Sequence, residues 1–311
     1  MINYTSNFKN INVNYKLKIK QDHCEFMVKI IKIENLNFAY SSNPENFVLK
    51  NINLEIDEGE FVILCGPTGC GKTTLIECIN GLIPHFHSGV FVGNVIVAGK
   101  NTREYPVYEM SKHVGLVFQN PENQLISMNV EKELSFALEN FGYNPIEIRK
   151  KVDEILKIMD IENIRYSAPY DLSGGQQQRV AIASILTLDP DIIILDEPTS
   201  NLDPMGAIKI LELINQLNKE QGKTIILIEH RLEIVLKYST RIIAMNNGQI
   251  ILNDETKKAI SNDILEDLGL RIPKIIKLYK LLKRDGFYIE NIPLTIEDLA
   301  HEILKLAEYH D

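Results

Sequence analysis

The string Gly66-Pro67-Thr68-Gly69-Cys70-Gly71-Lys72-Thr73 constrains this chain more than any other stretch. It fits the pattern G-x-x-x-x-G-K-[ST]. It follows an apolar run, Phe61 to Cys65, and precedes a helix-period segment from Thr74 to Asn80. Strand, glycine-rich loop and helix in that order form the setting of a phosphate cradle. The glycines let backbone N–H groups converge on phosphate oxygens where a side chain would collide. The helix start adds the positive end of its dipole. In such a cradle Lys72 reaches the β- and γ-phosphates of a nucleotide, and the Thr73 hydroxyl faces Mg2+. A glycine turn that merely packs a helix is the plainer reading. The correct context on both sides argues against it.

A second segment supplies what the first lacks. Ile192 to Leu195 is an apolar strand that runs straight into Asp196 and Glu197. Asp196 is placed to hold Mg2+, and Glu197 to take a proton from a water attacking the γ-phosphate. A third segment, Leu172-Ser173-Gly174-Gly175-Gln176, opens another helix, with Ser173 as its N-cap and glycine N–H groups exposed. One nucleotide needs only one phosphate loop. A second anion-binding helix start therefore points to a nucleotide held by another subunit.

The rest of the chain fits around these motifs. Apolar, β-rich runs recur at 28–38, 61–65, 114–118, 192–195, 224–228 and 241–245, with helical periods at 147–159 and 206–218. Alternation of this kind predicts a mostly parallel sheet covered by helices. Asn247-Gly248 reads as a two-residue hairpin turn. Pro273 opens a helix with Ile275, Ile276, Tyr279 and Leu282 on one face. Thr295 and Asp298 form a capping box before a last helix striped by Ile296, Leu299, Ile303 and Leu306. Residues 257–284 carry eight basic and three acidic side chains, and residues 285–311 carry seven acidic ones and Lys305. Opposite blocks this close predict a tail that folds back or pairs with a second copy.

Other readings are weaker. The formal charge of −9 gives no global nucleic-acid footprint. No apolar run approaches the length of a membrane span. Met1 to Lys20 is studded with Asn and Lys and has no apolar core for a signal peptide. The first arginine is Arg103. Residues 1–27 read as a disordered extension, with Met27 as an alternative start. Cys24, Cys65, Cys70 and Cys78 match no zinc spacing and read as reduced thiols. His85-Phe86-His87 lacks a third ligand and reads as an ordinary loop.

Taken together, the motifs resemble the ATP-binding subunits of ABC transporters over about residues 28–253. The resemblance implies a P-loop NTPase fold: an α/β, RecA-like mixed sheet with an inserted helical subdomain at about 120–175. The ATPase domain would span 28–255, and a small helical extension for dimerisation 256–311. Tyr40 would then stack on adenine, and Gly66 to Thr74 would bind ATP. Gln119 would contact Mg2+ and the attacking water, and His230 the γ-phosphate. Ser173, Gly174, Gly175 and Gln176 would form the signature, and Ser200 to Asp203 the D-loop. Thr73, Gln119 and Asp196 would hold the metal. The setting Glu229-His230-Arg231 departs from the Thr-His-Asp common in that family.

A narrower resemblance links Asn80 to Pro84, Val117 to Gln124, Leu268 to Pro273 and Gly286 to Ala300 to the energy-coupling factor class of importers. It implies uptake of a vitamin or a cobalt or nickel ion. The expected partners are a second ATPase, a transmembrane coupling subunit and a substrate-binding membrane subunit, with the chain on the cytoplasmic face of the membrane. The rival expectations are a non-transport ABC ATPase acting on nucleic acid or ribosomes, and a regulatory module without turnover.

Overall fold

A computed structural model describes residues 29–308 of the chain, apart from Tyr288 and Glu290. The extension at 1–27, with its alternative start, lies outside the described residues. The chain opens with β1 (Lys29–Tyr40), β2 (Leu49–Asp57), β3 (Phe61–Cys65), α1 (Lys72–Asn80) and a short α2 (Leu82–His85). Next come β4 (Gly89–Val97), β5 (Lys100–Asn101), α3 (Val107–Met110) and β6 (Val114–Val117). A helical stretch follows, with α4 (Val130–Asn140), α5 (Pro145–Ile158) and α6 (Gly174–Leu186). Then β7 (Ile192–Asp196), α7 (Pro204–Gln221), β8 (Thr224–Ile228), α8 (Leu232–Val235), β9 (Arg241–Asn246) and β10 (Gln249–Glu255) complete the sheets. The tail holds α9 (Thr256–Ser261), α10 (Ile264–Asp267), α11 (Lys274–Arg284) and α12 (Ile296–Glu308).

Two sheets result. The larger has the order β10-β9-β3-β8-β7-β6 and is parallel except for the β9–β10 hairpin. Asn247 and Gly248 close that hairpin with φ of 47° and 81°, as a tight primed turn requires. The smaller sheet, β2-β1-β4-β5, is antiparallel. The expected alternation of strands and helices holds for the larger sheet only. β2 alternates buried and exposed positions, which is the pattern of an antiparallel strand with one wet face.

The strands β3, β7 and β8 are apolar and buried at nearly every position because both faces are covered. Successive residues feed opposite cores. Phe61, Ile63, Ile193, Leu195, Ile225 and Leu227 pack with α4 to α7. Val62, Leu64, Ile192, Ile194, Ile226 and Ile228 pack with Leu75, Ile76 and Ile79 of α1 and with the smaller sheet. α1 is therefore clamped between the two sheets, and the loop that precedes it is held at the end of β3.

The tail is partly built into the first of these cores through Ala259, Ile260, Leu265, Ile272 and Ile276. The expected capping box is present: Asp298 N donates to Thr295 Oγ1 and Thr295 N to Asp298 Oδ2, each at 3.0 Å. Of the stripe on α12, Leu299 is buried, while Ile296 and Ile303 are exposed.

Candidate functional site

Four of the segments singled out in the sequence leave the carboxyl ends of neighbouring parallel strands, β3, β8, β7 and β6. That edge is where ligands bind in sheets of this kind. The phosphate loop follows β3. Asp196 ends β7, and Glu197 follows it. His230 lies just past β8, and Gln119 just past β6. Register fixes their depth: Val117 pairs with Leu195 and Asp196 with Ile228.

The loop needs its glycines for two separate reasons. A Cβ on Gly66, at φ 144°, would stand 2.2 Å from the Met245 carbonyl oxygen. Gly71, at φ 105°, is the left-handed residue from which α1 starts. Lys72 is buried, and its Nζ donates to the Gly66 and Pro67 carbonyl oxygens at 2.8 and 3.0 Å. Cys70 is buried beneath the loop, whereas Thr68 and Gly69 are exposed at its tip. Thr73 Oγ1 donates to Asp196 Oδ2 at 3.1 Å. Burial raises the Asp196 carboxyl pKa, as does the charge of Glu197, while the Thr73 hydrogen bond and Lys72 oppose the shift.

Glu197 is held from two sides. Gln119 Nε2 donates to its Oε2 at 2.8 Å, and His230 Nε2 lies 2.9 Å from its Oε1. Its φ is 48°, a left-handed value that is unusual for a long side chain. Backbone strain of this sort collects at working sites.

Tyr40 stands beside the loop. Its hydroxyl meets Thr74 Oγ1 at 3.1 Å and donates to Glu77 Oε2 at 3.4 Å. Burial raises the pKa of both Tyr40 and Glu77. The His87 ring stands edge-on to Tyr40, with centroids 6.4 Å apart. His85 contacts the Thr102 carbonyl oxygen at 2.9 Å. Cys65 and Cys78 are buried free thiols, and burial pushes the Cys65 pKa to about 12.

The signature residues are placed elsewhere. Ser173 caps α6 in a box with Gln176, whose N donates to Ser173 Oγ at 3.4 Å while Ser173 N donates to Gln176 Oε1 at 2.9 Å. Gly174 faces the Asn201 carbonyl oxygen, and Gly175 faces Leu202 of the D-loop. Among the described residues, the hydrogen bonds of Ser173 and Gln176 do not join the motif to the phosphate loop. Asp203 accepts from Gly206 N at 2.7 Å as the N-cap of α7.

Sequence reasoning missed a contributor. Glu229 is buried, and its Oε1 accepts from the N–H groups of His230 and Arg231 at 2.9 and 3.0 Å. Its Oε2 accepts from Thr199 Oγ1. The signal was available, because 225–228 is as apolar as 192–195 and is likewise followed by an acid.

The family model for ABC transporters matches residues 49–200. The energy-coupling factor transporter ATP-binding protein EcfA2 of Clostridium tetani is 41% identical over 281 residues, covering 89% of this chain and 96% of that protein. The chain belongs to the ABC transporter ATP-binding family. Two solved members of that family share its fold. The structure of cbiO1 from Clostridium perfringens, part of the ABC transporter complex cbiONQ, aligns with TM-score 0.68. It is 36% identical and covers 81% of this chain and 99% of that one. The ATP-binding cassette MJ0796, a dimer in a post-hydrolysis state bound to ADP and Pi, aligns with TM-score 0.64. It is 34% identical and covers 73% of this chain and 98% of that one. The order of motifs in this ABC ATPase thus goes with a fold shared along nearly the whole length of those two chains.

Proposed function

We propose that this chain is the ATP-hydrolysing subunit of an energy-coupling factor importer. The observation that carries the reading is the Glu197 carboxylate, held by Gln119 and His230 beside the Thr73–Asp196 pair. Each residue then has a defined task. Backbone N–H groups of the phosphate loop and Lys72 bind the phosphates, with Tyr40 against the adenine. Thr73 Oγ1 and Asp196 Oδ2 are oxygen donors of the kind that suits Mg2+, joined by Gln119. When bound, the cation offsets charge on the β- and γ-phosphates. Glu197 accepts a proton from the attacking water, and His230 contacts a γ-phosphate oxygen.

The second half of the site comes from a second ATPase subunit, either identical or similar. Ser173 Oγ and the N–H of Gly175 in one chain close on the γ-phosphate held by the other. Loss of that phosphate removes what holds the pair closed, so hydrolysis reopens it. The MJ0796 dimer bound to ADP and Pi supports this pairing. The split charge of the tail, with Leu278, Leu281 and Ile296 exposed on it, supports a further contact between copies.

A groove lined by Leu125, Ile126, Met128, Pro169 and Tyr170 is the docking place for the transmembrane coupling subunit. Ile126, Met128 and Tyr170 are 70%, 86% and 82% exposed, an apolar patch suited to a partner. Gln119 begins the same segment, so the nucleotide state reaches the groove along the chain. A substrate-binding membrane subunit completes the assembly and selects the vitamin or metal ion. No described helix is long and apolar enough to cross a membrane. Peripheral attachment to the cytoplasmic face through this groove fits that.

Capture of the protein from detergent-solubilised membranes, followed by mass spectrometry, tests the reading. A coupling subunit and a small membrane binding protein are the expected companions. Recovery of only nucleic-acid or ribosomal partners would overturn it.

A further inference from the structure

We infer that Glu229 is a positioning residue for hydrolysis, which sets His230 against Glu197 by tying the loop after β8 to the loop after β7. The inference rests on the reading of the chain as an ATPase.

Two loops must meet for the site to form. Glu197 belongs to the loop after β7 and His230 to the loop after β8. Their contact, Oε1 to Nε2 at 2.9 Å, joins two side chains that are partly open to solvent. Such a contact is worth little by itself, since water competes for both partners. Directly beneath it lies a second link between the same loops, and that one is buried.

Glu229 is 3% exposed. One carboxylate oxygen accepts the backbone N–H groups of His230 and Arg231, at 2.9 and 3.0 Å. These two groups lie past the end of β8, where the sheet offers them no partner. The other oxygen accepts from the Thr199 hydroxyl, two residues beyond Glu197. Thr199 is fully buried. Arg231 closes the ring, its Nη2 donating to the Thr199 carbonyl oxygen. The carboxylate thus gathers three donors from two loops, and its charge strengthens each bond. The spacing is tight: Glu229 adjoins His230, and Thr199 stands two residues from Glu197. A shift of either loop moves the catalytic pair directly. Thr199 also leads into 200–203, so the same ring orients the D-loop.

A residue that only stabilised the fold would affect the amount of folded protein, not turnover per folded molecule. A positioning residue lowers kcat and leaves ATP binding in place, because the phosphate loop lies outside the ring. Misplacement by an ångström can cost about a hundredfold in rate.

The test uses steady-state ATP hydrolysis by the full-length chain, normalised to nucleotide-binding sites, for Glu229→Ala, Thr199→Val and the double variant. Glu229→Ala should lower kcat by about ten- to a hundredfold with KM for ATP changed less than about threefold. Thr199→Val should lower kcat in the same sense. The double variant should be no worse than Glu229→Ala alone, since both break one ring. Glu229→Gln keeps an oxygen for the two N–H groups, and its amide can donate to the Thr199 hydroxyl, so it should retain most of the rate. Wild-type kcat in Glu229→Ala, or additive losses in the double variant, would overturn the inference. Should Glu229→Ala fail to fold, Thr199→Val decides, and an unchanged kcat in it would be fatal. Absence of hydrolysis in the wild-type chain is a different result, which strikes the ATPase reading itself.

Discussion

Glu197 carries the chemistry in this account, and its backbone shows the cost of placing it. Glu197 keeps its backbone bonds at a φ of 48°: its N–H donates to the Ile228 carbonyl oxygen, and Ser200 Oγ donates to the Glu197 carbonyl oxygen. Glu197→Gln keeps the shape and removes the proton acceptor. Hydrolysis should fall by about 10²–10⁴-fold while ATP binding persists, as read by nucleotide retention beside turnover. Asp196 is the opposite case, a residue whose function opposes stability. Burial raises its carboxyl pKa above the ordinary value of 3.8. A raised acid favours the protonated form in the folded state. Its cost to stability is therefore absent below 3.8 and grows as pH rises through the folded value. At neutral pH, Asp196→Asn should raise the melting temperature of the nucleotide-free protein, by roughly 2–4 °C for each kcal/mol relieved, and abolish hydrolysis. An unchanged or lower melting temperature would contradict this reading of Asp196. The two acids were legible in the sequence because an apolar strand ran into them. Glu229 follows a similarly apolar strand, but its partner Thr199 comes from another strand's loop, which no local pattern displays.

At the scale of elements, the site depends on short connections from parallel strands and on one acid that shapes a loop. Glu133 on α4 is buried, and its Oε2 accepts from the N–H groups of Ile126 and Ser127 at 3.0 and 2.7 Å. These bonds set the course of the segment that presents Ile126 and Met128. Glu133→Ala leaves two N–H groups without their acceptor, at about 1–3 kcal/mol each if they stay buried. The variant should still bind ATP but lose the membrane subunit on co-purification; retention at wild-type yield would count against the groove as the docking place. The six-stranded sheet was readable from its apolar runs, several to within a residue of their ends. The four-stranded sheet was less so. β4 is nearly all apolar between its glycines, which hides its alternation, and its pairing with β1 is long-range. The last helix shows the same limit: its cap was fixed by neighbours in sequence, but which of its apolar residues are covered depends on packing.

At the scale of the whole molecule, the residues proposed for the two halves of a nucleotide site lie apart in the one chain. The phosphate loop, Asp196, Glu197, Gln119 and His230 converge at one edge of the sheet. Ser173 and Gln176 bond to each other on another helix start, away from that edge. That mismatch was legible in the sequence as one phosphate loop and two anion-binding helix starts, and the fold keeps it. A composite site is the simplest arrangement that uses both. Mixing two inactive variants tests this most directly: Lys72→Ala, which lacks the phosphate contact, and Ser173→Arg, which blocks the signature. Each alone should be silent. Mixed dimers carry both lesions in one site and leave the other whole, so ATP hydrolysis should return on mixing. Hydrolysis by Ser173→Arg alone at the wild-type rate would contradict the account, because the site would then be complete within one chain.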